Sequence, residues 1–141
     1  MKITAMRFAA VLVATMGVVT LIGCGPSHFI GNSEIAAAKT LSPIMWSQAE
    51  LADPAFKKIA APGYSDADWA AFTALGERLQ IASAKLKQDF SKGENWNAFV
   101  DALGVHGGEL IDAAREEKPR AASAALAAIR ADCRACHNEF R

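Results

Sequence analysis

The sequence predicts an all-α chain, an antiparallel up-down-up-down four-helix bundle preceded by an N-terminal leader. Three observations carry this reading. Apolar residues recur at spacings of three and four along four successive segments, the period of a helix with one buried face. The connectors between those segments are short, which makes consecutive helices antiparallel neighbours. No segment shows the apolar/polar alternation of a half-buried strand. A length of 141 residues suits one small domain with a leader.

Lys2 and Arg7 form a positive start, and the apolar run from Phe8 to Ile22 follows. It is shorter than the roughly 20 apolar residues that span a bilayer, so a cleaved signal peptide is expected over residues 1–23. The run ends in Leu21-Ile22-Gly23-Cys24, which resembles the lipobox of bacterial lipoproteins, where the cysteine is lipidated and becomes the first residue of the mature chain. An ordinary secretory signal is the alternative. No aspartate follows Cys24, so the outer membrane is the expected anchorage, with residues 24–32 as tether and 33–141 as the folded domain.

Residues 33–40 favour helix, and Ser42-Pro43 gives the first firm start, Ser as N-cap and Pro at the first helical position. Helix A is expected from Pro43 to Ala60, kinked or restarted at Asp53-Pro54. Ala61-Pro62-Gly63-Tyr64 is a turn. Ser65 and Asp68 then stand at capping-box spacing before Trp69, Phe72, Leu75, Leu79, Ala82, Leu86 and Phe90, the stripe of helix B. Asn95 is expected to cap helix C, whose face runs through Trp96, Phe99, Val100, Leu103, Leu110, Ile111 and Ala114. Gly104, Gly107 and Gly108 each cost a helix about 1 kcal/mol relative to Ala, so they are expected to serve close helix approach. Pro119 opens helix D, where Ala122, Leu126, Ile129, Cys133, Cys136 and Phe140 recur at 4, 3, 4, 3 and 4.

The 15 basic residues balance the 15 acidic ones, and Lys2 and Arg7 of the leader are among the basic. The folded part is therefore near neutral to slightly acidic, which argues against a nucleic-acid surface. Three cysteines, one of them Cys24, imply no disulfide framework.

The chemistry of the chain is concentrated in Cys133-Arg134-Ala135-Cys136-His137. The spacing C-x-x-C-H is the attachment signature of a c-type haem: two thiols for thioether bonds to the haem vinyl groups and a histidine for one axial position of iron. On a helix these residues lie at i, i+3 and i+4, so their side chains leave one face within a turn. A redox dithiol would belong at a strand-to-helix junction, and a zinc site would want four ligands where only His28 and His106 remain. The two cysteines occupy the core-facing seam of helix D, so one covalent haem c is expected inside the bundle end. The walls there should come from residues 43–46, Leu86, Phe90, residues 96–100 and residues 129–140.

The chain resembles the class II c-type cytochromes, the cytochrome c′ and c-556 group. Trp96-Asn97-Ala98-Phe99, the alanine-rich helix D and Cys133-Arg134-Ala135-Cys136-His137-Asn138-Glu139-Phe140-Arg141 carry the likeness, which covers helices B to D. It implies a monohaem protein matured outside a bacterial inner membrane. That family begins helix A with an arginine near the haem propionates. Here no arginine lies between Phe8 and Glu77, leaving Lys39, Arg130, Arg134 and Arg141 as candidates.

His137 is the expected proximal ligand, and the opposite face of iron decides the function. Met45, in the first turn of helix A and the one methionine beyond the leader, would make a six-coordinate iron suited to electron transfer. Ordinary core packing is its other reading. Ile44 or Leu41 in that place would leave a five-coordinate iron able to bind NO or CO. His106 falls about 15 Å into helix C at 1.5 Å per residue, too far along to be a ligand, and His28 sits in the tether. Trp46, Trp69 and Trp96 read as core. An electron carrier of the periplasm is expected, anchored through Cys24, serving redox partner proteins and not an enzyme; the family also allows a homodimer.

Overall fold

A computed structural model describes residues 30–141. The leader, Cys24 and His28 lie outside the described residues.

Five helices, α1 (Asn32–Ala37), α2 (Leu41–Phe56), α3 (Asp66–Asp89), α4 (Glu94–Arg115) and α5 (Pro119–Phe140), make up the fold, with no strand among the described residues. The fifth element was not separated in the sequence: the helix-favouring stretch 33–40 supplies most of the short α1, which stops at Ala37, and Ala38 and the extended Thr40 separate it from α2. Thr40, not Ser42, is the N-cap of α2, and Pro43 sits in its first turn, where backbone N–H groups lack helical acceptors in any case. Pro54 does not restart α2 either. It falls in the last turn, and the helix stops at Phe56 rather than reaching Ala60.

Helix α3 starts as its residues require. Ser65 Oγ accepts the Asp68 N–H, and Asp68 accepts from the Ser65 N–H at 2.9 Å. That backbone bond, with Lys58 at 3.0 Å and the Ser65 hydroxyl, holds the Asp68 carboxylate down at about 2. A carboxylate depressed in the folded state stabilises it above the ordinary carboxylate range and stops doing so as pH falls through the folded value. Wild type is therefore expected to lose more melting temperature between pH 5 and pH 2 than Asp68→Asn, a difference that thermal unfolding at stepped pH would measure.

Antiparallel pairing is written in the cross-helix contacts. On α3 and α4, Gly76 meets Gly107, Ser83 meets Gly104, and Lys87 bonds Asp101 at 2.7 Å. On α4 and α5, His106 meets Asp132 and Asn95 bonds Glu139. A Cβ on Gly107 would come within 3.1 Å of the Gly76 carbonyl oxygen, so the close approach expected of the α4 glycines is realised, with Gly76 as the unexpected partner. The core falls into two clusters. One is built on Phe72, Leu75, Leu79, Leu110, Leu126 and Ile129; the other, at the end where α5 finishes, on Ile35, Ile44, Ala82, Leu86, Trp96 and Val100.

Arg78 ties the first described residues to this bundle. The residue is 5% exposed, and its guanidinium donates to Asn32 Oδ1 at 2.9 Å, the Ile30 carbonyl at 2.8 Å and the Ser47 carbonyl at 3.4 Å. Burial lowers its pKa, with Glu50 acting in the opposite sense. Charge-assisted bonds of this kind are worth about 1.5–3 kcal/mol each in net terms, and less when several share one group. Arg78→Met should cost about 2–3 kcal/mol in urea unfolding and open residues 30–37 to proteolysis before the bundle itself is cut.

Candidate haem site

The last two turns of α5 carry the site. Ala122, Leu126 and Ile129 of its seam are fully buried, and Cys133, Cys136 and Phe140 continue the same line half-buried. Cys133 packs on the first core cluster, Cys136 and Phe140 on the second. Phe140 stands edge-on to Trp96 with ring centroids 5.2 Å apart, which fixes the end of α5 against the start of α4.

Opposite α5 stands α2, and between them the structure is hollow. Helix α2 presents Ala49 and Ala52 where larger side chains would be needed to reach α5. The space opens as an outer cavity of about 740 Å³ and an inner one of about 210 Å³. Met45, Ala49, Asp53, Trp96, Cys136 and His137 line both. The inner cavity runs on past Cys133 to Leu79, Leu86 and Leu103. The outer volume is typical of small-molecule and cofactor sites, and the walls of both cavities are mostly apolar.

Both thiols are held protonated. Burial pushes Cys133 up to about 11, assisted by the charge of Asp132, and burial likewise raises Cys136. Redox dithiols need a depressed pKa, so these two are poorly suited to disulfide exchange. No group of three or more His, Cys, Asp or Glu side chains placed to hold a metal ion occurs among the described residues. What remains is a pair of thiols and an imidazole on one face of a helix, at the wall of an apolar slot.

Residues 63–141, the whole of α3 to α5, match the family described as Cytochrome C'. The chain belongs to the cytochrome C' family. No curated protein and no solved structure matches it.

A cytochrome C' domain is a c-type haem protein, and the slot between α2 and α5 fits such a group: Cys133 and Cys136 would hold it at the edge, His137 at the iron, and Met45 faces the same space. Bound there, a haem supplies a one-electron couple. The walls differ in part from expectation. Leu86, Trp96, Phe99 and Val100 line the inner cavity as the sequence predicts, but α2 contributes a longer stretch, from Met45 to Phe56, while Phe90 and Ile129 pack in the core clusters. Ile44 is fully buried in the core and lines neither cavity, whereas Leu41 stands at the outer mouth. Trp46 is no core residue: it is 58% exposed on the outer wall.

Two cationic side chains reach the outer cavity, Lys92 and Arg141, facing Glu50 and Asp53. The Lys92 ammonium lies 5.0 Å from the Trp96 ring centroid and 5.8 Å from that of Phe140. Arg141 was a candidate for a propionate partner on its position alone. Lys92 was not, because it stands in the turn between α3 and α4, where a lysine carries no periodic signal. Lys39, Arg130 and Arg134 line neither cavity.

Proposed function

We propose that this chain is a periplasmic monohaem cytochrome that carries electrons. Haem c would be bound covalently through Cys133 and Cys136, with His137 and Met45 as axial ligands, at the end of an up-down-up-down bundle of α2 to α5. The observation that carries the reading is Met45: it borders both cavities that His137 borders, from the facing helix. Met45 would supply a thioether and His137 an imidazole to the iron, a ligand pair that would raise its potential and suit outer-sphere transfer. Lipidation of Cys24 would anchor the domain to a bacterial membrane, the outer one by the residue that follows, and bring it to redox partner proteins. A homodimer belongs to the same proposal. Substrate turnover does not.

A second reading has its own support. The inner cavity extends behind Met45 between Leu79, Leu86 and Leu103, apolar space in which a diatomic gas could sit against an open iron. The visible spectrum of the reduced, haem-loaded protein separates the two. The expected result is a low-spin spectrum that ignores carbon monoxide, and Met45→Ala that turns high-spin and takes up carbon monoxide at least 100-fold more tightly, on the order of 3 kcal/mol. Wild type that is already high-spin and binds carbon monoxide as the variant does would establish the gas-binding reading instead.

A further inference from the structure

His106 and Asp132 form the one histidine–carboxylate contact among the described ion pairs, and it lies between α4 and α5 rather than at the surface end of either. His106 Nδ1 is 2.6 Å from Asp132 Oδ2, with the side chains 28% and 19% exposed. Asp132 is next in sequence to Cys133 and lines the inner cavity together with Cys133, Cys136 and His137. Its charge already reaches the Cys133 sulfur, where it helps to raise the thiol.

We infer that His106 and Asp132 form a proton-binding site coupled to the redox state of the haem that this slot holds. The inference rests on the haem reading of the site but not on Met45 being an iron ligand. The Asp132 carboxyl group stands at the cavity wall. While His106 is protonated the pair is neutral toward the haem; once His106 gives up its proton, a net negative charge faces the cofactor and favours its oxidised, more positive form. By reciprocity, one electron entering the haem from a redox partner strengthens proton binding at His106. Electron and proton arrive together, the electron from the partner and the proton from solvent, to which the part-exposed imidazole has access. The net charge of the site is then unchanged.

The other charged groups around the pair leave this assignment to His106. On α4 the charged side chain one turn on is Glu109, which is exposed. From α3 the side chains that approach this stretch of α4 are Ser83 and Gln80, both neutral. Arg130 and Arg134, two residues either side of Asp132 on α5, are exposed and leave the helix on other faces. From α2, the charged side chain that shares the cavity with Asp132 is Asp53.

The test is the midpoint potential of the haem-loaded protein across about pH 5 to 8, the range of imidazole titration, beside NMR titration of His106 in both redox states. A tenfold tighter proton in the reduced form is expected, equivalent to a total fall of about 59 mV with rising pH. His106→Gln should flatten that dependence, and Asp132→Asn should raise the potential by removing a negative charge from the cavity wall. Identical His106 titration in the two redox states would overturn the inference, as would a His106→Gln protein that keeps the wild-type dependence. The NMR result on wild type decides alone if the variants do not fold. Failure of the Met45 reading would appear in carbon monoxide uptake and leave this dependence in place.

Discussion

The double variant Cys133→Ala/Cys136→Ala is expected to lose all haem on denaturation, where wild type keeps it through a denaturing gel stained for haem. The physical reason lies in the use we propose for each thiol. Adding S–H across a vinyl double bond makes one C–S and one C–H bond, and neither is undone by unfolding. Each single variant should retain haem through the remaining thioether, at reduced yield. In the double variant the only holds left are axial ligation and the apolar walls, both of which require the folded slot. Haem that stays with the denatured double variant would sink the assignment of both cysteines. The apolar slot also predicts a second reading of the same experiment. Without haem, α2 has little to rest on along α5, because Ala49 and Ala52 fill so little of the space between them, and α2 should show the first loss of hydrogen-exchange protection.

Gly76→Ala is expected to destabilise the protein by about 2 kcal/mol or more, although alanine is the better helix former by about 1 kcal/mol. The sign follows from what the new methyl group would meet. Its Cβ would lie 2.5 Å from the Gly107 carbonyl oxygen and 2.6 Å from Ile111 Cγ1. A backbone oxygen cannot rotate away, so α3 and α4 would have to separate along their tightest crossing. Gly104→Ala is the matched control. Its nearest obstacle is the Ser83 hydroxyl at 2.6 Å, the tip of a side chain that can turn, so the gain in helix propensity should leave stability unchanged or improved. Urea unfolding of the two variants measures the contrast. Equal effects would mean that the α3–α4 approach is looser than the contact geometry implies.

Much of the local structure was legible. Ser65 and Asp68 announce the start of α3 because a capping box is closed by residues three apart. Pro119 opens α5 because its missing N–H falls where no helical acceptor exists. The C-x-x-C-H spacing determines that three functional side chains share one face, whatever surrounds them. Where sequence reading went astray, as at the split between α1 and α2 or at Trp46, the deciding interactions were remote. Residues 30–32 are held by Arg78, 46 and 48 positions along the chain, and no periodicity records that bond.

The sequence by itself therefore determined an all-helical chain and the placing of Cys133, Cys136 and His137 on one face near the end of its last helix, since each depends on contacts within a few positions. The tertiary structure alone decided the rest. It put Met45 rather than Ile44 on the wall facing His137, brought Lys92 to the outer cavity, set His106 against Asp132 across 26 residues, and paired Gly76 with Gly107. Those outcomes depend on the rotation and separation of whole helices. Local propensity says which face of a helix is apolar, but close packing selects which residue on that face meets its counterpart.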